Sequence, residues 1–153
     1  MRETDLVKPV ADWLRAHGLT VYAEVGRGPI DLVGLGRCDR IVCVELKTSL
    51  TRHVLRQAVL RHSITSEVYV AVGTIPRKAS LALARQYRVG VLTVQDNTAM
   101  LLLGWRDTQA VCSHARTELI ACLRESAFPQ SYSPTQMIYG DREEQYPEWA
   151  KTR

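Results

Sequence analysis

The chain lacks several features that would place it quickly. No apolar run approaches the roughly 18 residues needed to span a bilayer, so a membrane-spanning role is not expected. The first ten residues, MRETDLVKPV, carry acids where a signal peptide has its apolar stretch, which points to a cytoplasmic protein. Four cysteines are present, Cys38, Cys43, Cys112 and Cys122, but no CxxC pair. A zinc site assembled from them with His114 would not follow the usual ligand spacings; free thiols in a reducing compartment are the expectation. A glycine-rich nucleotide loop, a serine elbow and a Cys–His pair are all missing. The "GRG" at 26–28 is a flexible basic turn, too short to cradle phosphate.

What is present suits one soluble domain. Of 153 residues, 46% are apolar and 24% charged, a composition and length that support a single sizeable core. The net charge is +4, but it is unevenly spread. Residues 1–49 balance seven bases with seven acids, whereas residues 50–90 set seven bases against Glu67 alone. A basic block inside a domain suggests a polyanionic partner, above all nucleic acid, with a solvated helix face as the plain alternative.

Hydrophobic periodicity predicts an α-β-β-β-α-β-α-β-β order. Leu6, Val7, Val10, Ala11, Trp13 and Leu14 recur at helical spacing over 4–17, with Pro9 expected to fray or bend the first turn. Strands are expected at 20–25, 30–35 and 40–47, the last two joined by the turn "GRCD". A second helix follows over 50–63, with Arg52, His53, Arg56 and Gln57 opposite its apolar face. The run 67–73 reads as a buried strand, 76–88 as a helix, and 90–94 with 99–103 as a strand pair. A helix between two strands implies a right-handed crossover with parallel pairing, so the fold class is α/β with a mixed central sheet flanked by helices. Residues 1–104 form the expected core domain. Residues 105–153 form a C-terminal extension, with a helix over 108–125 and an irregular tail in which Met137, Ile138, Tyr139 and Trp149 are the docking candidates.

Charge on apolar strands carries the chemistry. Asp31 lies just inside the strand after "GP", and Glu45 and Lys47 close the strand "CVELK". Charged side chains are rarely placed on buried strands without a partner. Glu45 and Lys47, two residues apart, share a face, and hairpin pairing with residue numbers summing to 75 or 76 sets Asp31 opposite Glu45. Two neighbouring carboxylates repel unless a cation lies between them. Asp31, Glu45 and the backbone carbonyl of Leu46, completed by water, are oxygen ligands suited to Mg²⁺, with Mn²⁺ as a substitute. Lys47 is placed to orient or deprotonate an attacking water, or to stabilise charge on phosphoryl oxygens. The plain alternative is a structural ion pair at the sheet margin.

These residues resemble the PD-(D/E)xK nuclease superfamily, the restriction-endonuclease-like and Holliday-junction-resolvase-like enzymes. "GPIDLVGL" followed by "CVELKTS" supplies the acid and an intact ExK, with one residue inserted relative to a strict PD pair. The likeness covers about the first 95 residues and implies a restriction-endonuclease-like αβββαβ core. It implies a metal-dependent DNA endonuclease acting on duplex or branched repair and recombination DNA, with Asp31, Glu45 and Lys47 as catalytic residues. Glu3 matches an acid that many members carry at the start of the first helix, and Gln57 a glutamine in the second.

Around this centre, Arg27, Arg52, Arg56 and Arg61 are the expected DNA-binding residues, touching phosphates that position DNA without reading sequence. Glu24 is either an extra ligand or a solvated strand-end acid, and His53 is read as a surface histidine. A homodimer is compatible with symmetric cutting of two strands, and the tail is the candidate surface for that interface or for a protein partner. A nuclease-fold module that binds nucleic acid or protein without cutting, as an accessory subunit or inhibitor, is the alternative function. A plain structural α/β domain is a third reading.

Overall fold

The computed structural model describes residues 2–25 and 29–125. Within them, six strands form one mixed sheet in chain order: β1 (Thr20–Val25), β2 (Ile30–Leu35), β3 (Ile41–Lys47), β4 (Val68–Val72), β5 (Gly90–Gln95) and β6 (Thr98–Leu103). The first three pair antiparallel, β3–β4 and β4–β5 pair parallel, and β6 returns antiparallel beside β5. Four α-helices among the described residues flank it: α1 (Val7–Ala16), α2 (Arg52–Val59), α3 (Lys78–Gln86) and α4 (Ser113–Glu125). The α/β class with a mixed sheet flanked by helices is thus observed, and none of the helices described is long and apolar enough to cross a membrane.

Alternation of side chains along the strands builds two cores, one on each face. Leu6, Val7, Val10, Ala11 and Leu14 of the N-terminal helical segment pack on Val21, Leu32, Val42, Val44 and Leu46. On the other face, Val54, Leu55 and Ala58 of α2, Ala84 of α3, and Leu119 and Leu123 of α4 cover Ile41, Cys43, Val70 and Val91. Every residue of β4 is buried, as a continuous apolar run in a parallel strand requires. By contrast β6 is an edge, and leaves Met100, Leu101 and Leu102 exposed.

The helix expected over 4–17 divides into a 3₁₀ turn, Glu3–Leu6, and α1 proper from Val7. Pro9 explains the division. An α-helix running from residue 4 would need the Pro9 amide to donate to Asp5, and proline has no N–H. Starting at Val7 places Pro9 within the first turn, where no donor is needed. The turn is held at its start by Asp5, whose carboxylate accepts from the Arg2 backbone N–H at 2.8 Å. The second helix divides likewise into α2, capped by the Thr51 hydroxyl, which accepts from Val54 N–H at 3.2 Å, and a 3₁₀ turn, Leu60–Ser63. The last helix begins at Ser113 rather than at the expected 108.

Leu55 is fully buried on α2 while Leu60, at the start of the following turn, is 70% exposed. Leu55→Ala is expected to lower unfolding free energy by about 2–5 kcal/mol and Leu60→Ala by less than about 0.5 kcal/mol. Urea midpoints at constant m-value measure both.

Candidate active site

Register brings the acids together. Leu32 pairs with Val44 across β2–β3, and the same register carried one residue further places Asp31 across from Glu45, with residue numbers summing to 76. Ala23 pairs with Leu32 and Val25 with Ile30 across β1–β2, which sets Glu24 opposite Asp31. Glu24, Asp31 and Glu45 therefore occupy one row across three neighbouring strands. The backbone ladder between β2 and β3 runs only from Leu35–Ile41 to Leu32–Val44. Beyond it the Asp31 side chain takes over the acceptor's role: its Oδ2 accepts from the Leu46 backbone N–H at 2.8 Å. That bond ties Asp31 to the same strand that carries Glu45 and Lys47.

Glu45 is only 5% exposed. Burial pushes its carboxyl up to about 7, the hydrogen bond from Arg61 opposes this, and the adjacent Asp31 carboxylate adds to the rise. Arg61, on the turn after α2, donates from Nε to Glu45 Oε1 at 2.8 Å and from Nη2 to the Pro29 carbonyl at 3.4 Å. Asp31 also raises Glu24, behind burial as the main cause. Glu24 itself is exposed and takes a left-handed φ of 50°. This conformation is uncommon outside glycine, and here it falls beside the acid row. Cys43, two residues before Glu45, is buried and its thiol is pushed up to about 12, so it stays protonated.

Lys47, the last residue of β3, is one-third exposed, and its Nζ lies 3.7 Å from Glu3 Oε1. The 3₁₀ turn that precedes α1 delivers Glu3 to this end of the sheet. Gln57 is half-buried on α2, four residues before Arg61, and Arg52 and Arg56 are exposed on the same helix. Arg27 lies outside the described residues. At the carboxyl ends of β3 and β4 the Thr74 hydroxyl donates to the Thr48 carbonyl at 3.3 Å, joining the loops that lead into α2 and α3. Arg52, Arg77 and Lys78 start those helices and are exposed. Carboxyl ends of parallel strands are where open α/β sheets bind ligands.

Of the expected site residues, the structure gathers Asp31, Glu45, Lys47 and Glu3 at one end of β3. Arg61, expected to contact DNA, instead turns inward to Glu45. The missed feature is this inward turn, which rests on how α2 packs on the sheet and has no signature in residue spacing. Arg77 and Lys78 of the basic block also stand exposed at this edge, a placement that residue spacing does not encode.

The donor set fits a hard divalent cation. Two carboxylates on adjacent strands, facing each other on one rung, supply oxygen ligands whose mutual repulsion a cation relieves. Among the described residues no group of three or more His, Cys, Asp or Glu is placed to hold a metal. Asp31, Glu45 and a backbone oxygen could supply only part of a coordination shell, and water would have to complete it.

No family model matches the sequence, and no curated protein matches it. Among solved structures, the chain is similar to the SPO1766 protein of unknown function from Silicibacter pomeroyi, at 25% identity and a TM-score of 0.61, over 80% of this chain and 83% of that one.

The raised Glu45 carboxyl has a stability signature. Between pH 4.5 and about 7 the folded chain holds a proton that the unfolded chain releases, so Glu45 subtracts from stability as pH rises through that window. Glu45→Gln keeps an acceptor for Arg61 and has no charge to bury. It should raise Tm by a few degrees above pH 7, with the gain vanishing below pH 4.5; calorimetry across this range measures it.

Proposed function

We propose that the chain is a metal-dependent DNA endonuclease of the PD-(D/E)xK type, with a restriction-endonuclease-like αβββαβ core formed by α1, β1–β3, α2 and β4. The observation that carries this reading is the lateral meeting of Asp31 and Glu45, with Lys47 two residues along the same strand. Asp31, Glu45 and backbone oxygen at Leu46 would hold Mg²⁺ or Mn²⁺. When bound, the ion supplies Lewis-acid polarisation of the phosphoryl oxygen and an acidified water.

The chain's own residues do the rest. Asp31 is aimed by the Leu46 N–H, so its free oxygen is fixed relative to β3. Lys47 orients the attacking water or neutralises charge that builds on the phosphoryl oxygens. Glu3, 3.7 Å away, holds the ammonium toward the end of β3. Arg52 and Arg56 of α2, joined by Arg77 and Lys78, offer cations to backbone phosphates of duplex or branched DNA. A role in repair or recombination, cytoplasmic location, a homodimer and a protein partner for the tail are further parts of the proposal.

One observation favours the alternative, a nuclease-fold module that binds nucleic acid or a protein partner without cutting: Glu45 already has a cation, Arg61.

Plasmid, forked and four-way DNA incubated with protein in Mg²⁺ or Mn²⁺ separate the two. The nuclease reading expects metal-dependent cutting that falls by about 10²–10⁴-fold in Lys47→Ala with Tm unchanged. Undiminished cutting by Lys47→Ala, or DNA binding with no cutting by wild type, overturns it. Replacing both Arg52 and Arg56 by Ala should make the log–log salt slope of duplex binding shallower by about 2, one unit for each phosphate deprived of its arginine. An unchanged slope would remove α2 from the DNA interface.

A further inference from the structure

We propose that Arg61 is an internal counter-ion standing in the divalent ion's place on Glu45, and that a DNA phosphate draws it away, so that metal and DNA bind cooperatively. The inference rests on the nuclease reading and adds to it a control on when the site can load.

The geometry gives the conflict. Arg61 Nε lies 2.8 Å from Glu45 Oε1, with the two side chains 20% and 7% exposed. Mg²⁺ binds carboxylate oxygen at about 2.0–2.1 Å, so an ion on Oε1 would share one oxygen with a guanidinium N–H. An ion on the other oxygen would face a fixed positive charge across a single carboxylate. The second acid offers no escape, because Asp31 Oδ2 is engaged by the Leu46 N–H and its remaining oxygen must serve the same ion as Glu45. A dication between Asp31 and Glu45 therefore competes directly with Arg61.

The same geometry gives the release. Glu45 is the acid that holds the guanidinium, and the further bond from Arg61 to the Pro29 carbonyl is long at 3.4 Å. Arg61 follows directly on α2, whose exposed face carries Arg52 and Arg56. A phosphate track along that helix brings an anion that takes a guanidinium in a two-pronged grip. Transfer of Arg61 from carboxylate to phosphate uncovers Glu45 and adds a DNA contact in one movement. DNA cutting would then require the substrate to be seated before the ion is held firmly.

Mn²⁺ binding to the full chain, followed by electron paramagnetic resonance of the free ion, tests the proposal with and without a phosphorothioate duplex that resists cutting. Wild type should bind Mn²⁺ at least tenfold more tightly with the duplex. Arg61→Gln should bind Mn²⁺ about tenfold more tightly than wild type in the absence of DNA, where removal of a merely structural arginine would leave affinity unchanged or weaker. Equal or weaker binding by a folded Arg61→Gln overturns the counter-ion role. The Arg61 Nε–H resonance in wild type gives a readout that needs no variant: it should shift when Mg²⁺ and duplex are both saturating, and a resonance that stays in place overturns the release step. Metal-dependent cutting that persists alongside either negative result rejects this inference alone, whereas no Mn²⁺ binding by either protein, even with duplex, rejects the nuclease reading beneath it.

Discussion

The hydrogen bond from the Leu46 N–H to Asp31 is the constraint on which the site depends. Two carboxylates left to themselves would separate into solvent. Here one is buried on β3 and the other is bound to the backbone of that same strand, one residue further on. Strand pairing as far as Leu32–Val44, and this side-chain bond beyond it, force the like charges into company. Burial is the main cause of the rise of the Glu45 carboxyl and repulsion from Asp31 adds to it, and a cation relieves that repulsion. The protein provides one from its own chain in Arg61.

The surrounding architecture serves this arrangement. Parallel pairing of β3 with β4 brings the amino ends of α2 and α3 to the sheet's carboxyl edge, and the Thr74–Thr48 hydrogen bond holds their leading loops together. The exposed Arg52, Arg77 and Lys78 start those helices at this edge, whereas Arg61 reaches Glu45. On the opposite face α1 seals the second core, and its leading turn brings Glu3 up to Lys47. An ion pair this exposed contributes little to stability.

Much of this could be read from the residues. The apolar runs "IDLVGL" and "IVCVELK" located β2 and β3, and the hairpin turn between them set Asp31 across from the region of Glu45. The same reading located β4 from an unbroken apolar run, and α2 from an apolar face bounded by arginines. Other features arise from backbone chemistry or packing that spacing does not encode. The late start of α1 follows from one absent N–H at Pro9, and the left-handed turn at Glu24 from a local conformation its neighbours do not announce. Arg61 resembles Arg52 and Arg56 in the sequence; only the docking of α2 turns it inward. Arg27 and the tail after residue 125 fall outside the described residues.

The acid row sits at the open end of the β2–β3 hairpin, and the chain reverses at the other end, around Cys38 and Asp39. Lengthening that reversal would leave the lateral partners as they are, whereas sliding one strand by a single residue would send Asp31 to the α1 side of the sheet. Evolution is thus free to vary how far apart the two acids stand in sequence, and bound only by which rung they share. Distant kin with the same pair of carboxylates need have no common interval between them.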